Sequence, residues 1–492
     1  MQHVTDADSR DSNFGSRIRS AVFWRSGSQI LAQIVSWAGT LIVVRLLDPA
    51  DYGLFAMTLV VLNFMSFMSG YGLISALVQA PSLDIRQVRQ AFGLMLMLNG
   101  GLALAQIVLA GYAADYYGQP MVANLLRVQA LIYLATPFIS LPEVAIGRSL
   151  DFKRPALINI LTAIVTAIVS LTGALLGWGV WTLVFAPITG FWVKAIGNMI
   201  AMRFFVWPSF DFRGTGGMIA FGSSILGSQL LIMIQSQSDI LIGGRVLSPH
   251  ELGLYSEALF LTQIFVSRFI PPLNDVAFPA YARMQSDKDL LNRSFCRAVR
   301  LILLVACPLY LGMAVVAEPL IEILFGCNWA GMAPLVSILA ASMPCYALQV
   351  LFSPALNALG LPRKTASISA MGALIMPTSF LIGVKYGVTG LALAWAFGVP
   401  LLTLATIRIA GTAMGLRFGD LLRAILPSLL SALPMTLVVF TVAAALPPMS
   451  ALFRLAILVA VGFATYVTIL MIFSRATVIE LTLLIRGRTA SA

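Results

Sequence analysis

A motif at residues 45–55 returns 200 residues later, and this repeat limits what the chain can fold into more than any other feature. Arg45-Leu46-Leu47-Asp48-Pro49 with Gly53-Leu54-Phe55 is echoed by Arg245-Val246-Leu247-Ser248-Pro249 with Gly253-Leu254-Tyr255. Asp51 and Glu251 fall at the same place in the two copies, and each copy joins one long apolar stretch to the next. Further correspondences follow: Asp84 before Phe92 with Asp287 before Phe295, Phe152-Lys153-Arg154 with Pro362-Arg363-Lys364, and Gly179-Val180 with Gly387-Val388. The offset drifts from 200 to about 210, as small loop insertions produce. Chance similarity among apolar segments accounts poorly for matched Pro and Gly positions. One half therefore reads as a duplicate of the other, and in a membrane protein paired halves are a common way to build a transporter that rocks around a central site.

The chain is 59% hydrophobic and only 10% charged, against about 25% charged residues in a soluble globular domain. A protein of 492 residues cannot hide that much apolar surface, so the excess faces lipid. The net charge of +11 would suit nucleic acid, but the basic residues are scattered over short loops, which speaks for membrane topology and against a nucleic-acid partner. Spans of about 20 apolar residues, the length that crosses a bilayer as a helix, can be laid along the whole chain. They fall near 22–44, 53–79, 91–113, 120–142, 156–177, 181–202, 218–243, 253–275, 299–317, 331–359, 365–384, 388–409, 424–445 and 451–473. The predicted fold is an all-α polytopic membrane protein of about fourteen transmembrane helices in two pseudo-symmetric six-helix lobes. Its expected parts are a tail (1–19), an N-lobe (20–205), a C-lobe (218–412), two further helices (421–475) and a second tail (476–492). Six being even, both lobes insert in the same sense, with their symmetry axis along the membrane normal.

Alternating these spans places 23 of the 31 basic residues on one side, and only Arg45, Arg245, Lys385 and Arg454 on the other. Such a bias marks the richer side as cytoplasmic and puts both termini there. Residues 1–19 are polar, with Asp6, Asp8, Arg10, Asp11, Arg17 and Arg19 and no apolar core of a cleavable signal. The four cysteines (296, 307, 327 and 345) have no metal-ligand spacing and read as ordinary thiols.

Polar residues inside the spans point to the working surface, because a polar group facing lipid is costly. Arg25, Gln29, Gln33, Ser36 and Thr40 recur at steps of three and four on the first span, which puts them on one stripe. Ser224, Ser228, Gln235 and Asp239 form a comparable stripe on the seventh, with Gln229 and Ser236 nearby. At the 200-residue offset Gln29 matches Gln229, Ser36 matches Ser236 and Asn63 matches Gln263. These positions are the expected lining of a cleft between the lobes. Lys194 and Arg268 lie near the middle of their spans, where a charge costs at least about 2.5–3.5 kcal/mol unless hydrated or paired. Arg25 and Arg127 lie toward span ends and can snorkel to headgroups. Arg268 reads either as facing an anion or as a structural partner of Asp239 or Glu257; Lys194 either faces the same chamber or sits at a lobe flank. Asp239 is a gate, a proton or cation site, or simply the partner of a buried arginine. More buried cations than acids suits an anionic cargo, since guanidinium groups grip phosphate oxygens in pairs. The apolar remainder of the cleft suits a lipid tail. Prolines inside spans, Pro187, Pro271-Pro272, Pro308, Pro344, Pro354, Pro377, Pro400, Pro427 and Pro434 among them, read as hinges or as static kinks.

No catalytic constellation, metal cluster or phosphate-binding glycine loop stands out, so no enzyme, no cofactor and no metal are expected. The energy source is then an ion gradient, the membrane potential or the gradient of the cargo.

The segment Arg45 to Phe55 resembles the first-helix exit of the polysaccharide transporter family, the Wzx-type flippases of the multidrug/oligosaccharidyl-lipid/polysaccharide flippase superfamily. Gly72-Leu73 with Ala76-Leu77-Val78-Gln79 is similar to the ending of that family's second helix. So are Asp239-Ile240-Leu241-Ile242-Gly243 running into Leu252-Gly253-Leu254-Tyr255, Phe278-Pro279-Ala280, and Glu318-Pro319-Leu320 leading to Phe325-Gly326 and Trp329. The resemblance covers about 20–412; Val43 standing opposite Gly243 makes the symmetry imperfect. It implies a V-shaped two-lobe fold in the bacterial cytoplasmic membrane. It further implies translocation of undecaprenyl-diphosphate-linked oligosaccharide for exopolysaccharide, capsule or O-antigen assembly, with polysaccharide polymerase and export machinery as associates. The alternative is an ion-coupled multidrug exporter of the same superfamily, for which acidic cavity residues are expected. A membrane glycosyltransferase, polymerase or ligase would carry a large external loop, and the outer loops here are only a few residues long.

Overall fold

The computed structural model describes residues 24, 27–69, 85–149, 153–202, 206–211 and 216–473, without the side chains of Phe67, 144–149, 202, 216–229 and 473. The tails over 1–19 and 476–492, Arg25 and the segment 70–84 lie outside these residues, as does the side chain of Gln229.

Every regular element among the described residues is helical. Lipid offers no partner for a backbone N–H or C=O, so a spanning segment must close its hydrogen bonds on itself. The helices are α1 (Gly27–Leu46), α2 (Pro49–Met68), α3 (Ile85–Tyr117), α4 (Pro120–Gln129), α5 (Leu131–Ser149), α6 (Lys153–Leu175) and α7 (Val180–Met202). They continue as α8 (Gly216–Val246), α9 (Pro249–Arg283), α10 (Lys288–Val315), α11 (Ala317–Leu324), α12 (Ala333–Val350), α13 (Phe352–Ala358), α14 (Pro362–Gly383), α15 (Gly387–Met414), α16 (Phe418–Ala445) and α17 (Ala451–Phe473). Ten stretches of the described residues are long and apolar enough to cross a membrane, and the longest, Pro362–Met414, holds both α14 and α15. The long helix α9 is not among them; Glu251, Glu257, Arg268, Asp275 and Arg283 are spread along it.

The predicted spans correspond to helices, with two differences. The span at 120–142 is interrupted at Ala130 and runs on to Ser149, while that at 331–359 is interrupted at Leu351. In addition, α3, α9 and α10 begin or end several residues outside the apolar windows. Hydropathy marks only what the hydrocarbon demands, and a helix with satisfied ends continues through the headgroup layer.

The chain divides into two compact units, Met1–Leu230 and Leu231–Ala492. In the first, α6 and α7 form a tight pair, α3 packs on α4 and α5, and α5 packs on α7. Buried amides join these helices: Gln129 Nε2 donates to Thr58 Oγ1 at 2.9 Å, Gln106 Nε2 to Leu126 O at 2.8 Å, and the Tyr133 hydroxyl to Gln106 Oε1 at 2.8 Å. Interhelical bonds of this kind bind helices where water-driven association is absent. In the second unit α10 packs along α16, which packs on α17; α15 is clasped by α12 and α14. Trp329, Tyr255, Tyr310, Phe295, Phe352 and Phe380 are its largest fully buried side chains.

The two copies of the repeated turn have the same local structure. Asp48 caps α2 and Ser248 caps α9; Pro49 and Pro249 open the helices, where their missing N–H costs nothing. Asp51 Oδ2 accepts from the Asp48 backbone N–H at 3.3 Å, and Glu251 Oε2 accepts from that of Ser248 at 3.0 Å, so each turn is a reciprocal capping box. The preceding helices also end alike, Leu47 N–H donating to Val43 O at 3.1 Å and Leu247 N–H to Gly243 O at 2.8 Å. Gly179 (φ +56°) stands just before α7 and Gly387 (φ +73°) opens α15, both with a positive φ that is costly to any residue with a Cβ.

Candidate functional site

The α8–α9 hairpin fixes which of its polar residues can meet. Asp239 lies eight residues before Leu247 and Tyr255 eight after it, so both stand about 12 Å from the turn along antiparallel helices. The Tyr255 hydroxyl donates to Asp239 Oδ2 at 2.9 Å, and the Ile240 backbone N–H to Oδ1 at 2.8 Å. From α15, Trp395 Nε1–H donates to the Tyr255 oxygen at 2.8 Å. Asp239 is 1% exposed and Tyr255 is fully buried. An indole, a phenol and a carboxylate thus form one relay of donors across three helices. Tyr346 stacks edge-on to Trp395 at 5.8 Å and closes the aromatic wall. Such an acid has two states: ionised, with its charge met by two donors, or protonated at Oδ2, where the new O–H is itself a donor and the phenol oxygen can turn to accept from it.

Arg268 is not part of this relay. It lies 13 residues beyond Tyr255 on α9, about 20 Å farther along the axis, and it is exposed. Glu257 shares the face of Arg268 but is 11 residues away, about 16 Å, too far for contact. Among the described residues Arg268 makes no ion pair with Asp239 or Glu257, so the partner of the buried acid is a tyrosine rather than an arginine. Gln263 is half-buried on the same helix. Gln235, half-buried on α8, lays its carboxamide so close over Gly372 of α14 that a Cβ there would collide with it.

In the first unit Lys194 of α7 pairs with Glu143 of α5, Nζ to Oε1 at 2.7 Å. The lysine is about one-third exposed and the glutamate nearly half, so the pair is partly solvent-screened. Gln29 on α1 and Asn63 on α2 are exposed. Three features went unread in the sequence: Glu143 as the partner of Lys194, Tyr255 and Trp395 as partners of Asp239, and the buried amides of α3 and α4. Of these the Asp239–Tyr255 pair has a signal, since equal distances from a hairpin turn bring the two together. Trp395 has none.

The second unit also carries an apolar groove of about 730 Å³ between α10, α16 and α17, where Leu304, Pro308, Met435, Val439, Gly462 and Phe463 meet.

A model of polysaccharide biosynthesis proteins matches residues 42–334, a stretch that contains both copies of the repeated turn. Succinoglycan biosynthesis transport protein ExoT of Rhizobium meliloti (strain 1021) is 26% identical over 319 residues, covering 65% of this chain and 65% of ExoT. The chain thus spans slightly less than two thirds of the length of that relative. Among solved structures, the lipid II flippase MurJ in its inward closed conformation superposes with a TM-score of 0.74 at 13% identity, covering 92% of this chain and 99% of MurJ. A multidrug resistance MATE family transporter of the MOP superfamily, in its inward-facing conformation, gives 0.61 at 12% identity, covering 80% of this chain and 98% of its own. The fold is that of polytopic all-helical membrane proteins. It is shared by a lipid flippase and a drug transporter, and so does not by itself select a cargo.

Proposed function

The chain belongs to the polysaccharide biosynthesis protein family, and from that premise we propose that it moves undecaprenyl-diphosphate-linked oligosaccharide across the bacterial cytoplasmic membrane. It does so by alternating access, for assembly of exopolysaccharide, capsule or O-antigen. The observation that carries this reading is the family match over 42–334, because it takes in equivalent parts of both halves rather than one common helix pair. The likeness to ExoT, named for succinoglycan transport, supports the substrate class. Both termini are cytoplasmic, on the side that carries 23 of the 31 basic residues. Six-helix lobes over 20–205 and 218–412 move as bodies, and prolines such as Pro271 and Pro272 within α9 supply the bends.

The polar stripe of the first helix (Arg25, Gln29) with Asn63, Lys194, Gln229, Gln235, Gln263 and Arg268 offers donors to the diphosphate and the sugar hydroxyls. Arg268, exposed and near the middle of α9, is the strongest candidate for the anion. Asp239 acts in coupling rather than in binding cargo, its proton or charge being read by Tyr255. No bond is made or broken in this cycle, and no cofactor takes part. Polymerase and export machinery receive the product.

The test is export of labelled polysaccharide from a strain lacking the gene, restored with the parent chain or with Arg268→Ala. Loss in the deletion strain, rescue by the parent and poor rescue by the variant are expected. Normal surface polysaccharide in a deletion strain that has no second flippase overturns the reading. Drug sensitivity with intact polysaccharide in that strain moves the chain to the multidrug exporters.

A further inference from the structure

In the first unit a short strap beyond α7, residues 206–211, is tied along the start of α3. The Ser209 backbone N–H donates to Arg89 O at 2.8 Å, Arg89 Nε donates to Trp207 O at 3.1 Å, and Gln90 Nε2 donates to Asp211 O at 2.7 Å. Arg86 Nη2 also pairs with Asp211 Oδ2 at 3.0 Å. That ion pair is exposed and screened by solvent, whereas Gln90 is buried, so the amide and backbone bonds set the position. The strap lies so close over Gly93 that a Cβ there would collide with Ser209 O. Glycine at 93 is therefore part of the fit.

The height of the strap follows from α3. That helix has 33 residues and rises about 50 Å, against a hydrocarbon core of about 30 Å. Its apolar window begins near 91, and the residues before it, Ile85 to Gln90, include Arg86 and Arg89. The contacts from Arg86 to Gly93 thus fall where hydrocarbon gives way to headgroups. Alternation of the spans puts the start of α3 and the end of α7 on the same basic side, and here the two ends meet. Trp207 and Phe210, held at this height, are 81% and 59% exposed. A single exposed hydrophobe is ordinary, but two large rings on a strap fixed at the membrane border match the interface. There an indole buries its ring among lipid and keeps its N–H wet.

We propose that residues 206–211 are an interfacial anchor, which seats Trp207 and Phe210 in the lipid headgroup layer on the basic side and so fixes the depth of the first unit. Trp207 and Phe210 touch lipid; Arg89, Gln90 and Gly93 position the strap that carries them. The anchor requires membrane embedding but no particular cargo, so it stands or falls apart from the flippase reading.

The test reads Trp207 fluorescence in the full chain, reconstituted in liposomes of phosphatidylethanolamine and phosphatidylglycerol. The Trp207 component is the difference between the parent and Trp207→Phe. It is measured with lipid brominated near the headgroup, with lipid brominated near the chain end, and with acrylamide in the water. The component is expected to lose most of its intensity to the shallow bromines and little to the deep bromines or to acrylamide. Gly93→Val and Gln90→Ala, each paired with its own Trp207→Phe control, are expected to free the strap and raise acrylamide quenching several-fold. Gln90→Ala adds no bulk and keeps the test open should Gly93→Val fail to fold. A component quenched by acrylamide and by neither lipid faces water and overturns the proposal. One quenched by none of the three is covered by protein and overturns it too, as does an unchanged profile when the strap is freed.

Discussion

The two copies of the repeated turn share a proline that opens the helix and a reciprocal capping box, yet eight residues to either side of that turn the two units part company. In the second unit these positions hold Asp239 and Tyr255, joined at 2.9 Å and backed by Trp395. In the first they hold Gly39 and Phe55, and the glycines at 179 and 387 match Trp395 with Pro187. A Cβ added at Gly39 would stand 3.2 Å from the Cβ of Ala167, so the first unit uses the position for close helix packing. Duplication preserved the turn because both helices need their ends capped. It released the neighbouring positions, and only one unit placed a buried acid there. Among the described residues the acid–tyrosine–tryptophan set stands in the second unit, so a change of charge at Asp239 acts there.

The largest expected effect is on transport. Asp239→Asn keeps an acceptor oxygen for Tyr255, so the protein should accumulate normally while polysaccharide export falls to background; normal export would remove the acid from the coupling role. Tyr255→Phe should lower stability by about 1.5–3 kcal/mol, because it takes a donor from a buried carboxylate, and thermal unfolding of the purified protein measures it. The equivalent change in the first unit is absent by nature, since Phe55 is already there. Gly39→Asp should cost about 1–3 kcal/mol through overpacking on Ala167, and adding Phe55→Tyr should recover part of the loss. Full tolerance of Gly39→Asp would mean that the units are more alike than their packing suggests. The smallest effects concern what the units share: Asp48→Ala and Ser248→Ala should each cost about 1 kcal/mol, and nearly equally. A large difference between them would show that the matching caps carry unequal weight.

The helical architecture was legible along most of the chain because apolar length alone dictates a spanning helix. The repeated turn was legible because capping is local: Asp48, Pro49 and Asp51 find their partners within three residues. The candidate site was legible only in part. Asp239 stood out as an acid in a span, but a search for an opposite charge pointed to Arg268, when the helix rise puts Tyr255 at its height and Arg268 about 20 Å away. Lys194 stands out likewise, but Glu143 lies just past the apolar window at 120–142, so hydropathy gives no hint that it is the partner. Polarity inside a span flagged Gln106 and Gln129 no more strongly than Gln29, although the first two are sealed between helices and the last is exposed.

By itself the sequence determined that this chain lies in a membrane as many helices, that its halves are related, and that their turns are capped alike. These properties depend on composition and on neighbours a few residues apart. The tertiary structure alone decided which buried polar groups answer one another, because Asp239, Tyr255 and Trp395 come from three helices and Asn292 and Asp420 lie 128 residues apart. Side-chain chemistry names the groups that need a partner; only the packing of the helices brings one within 3 Å.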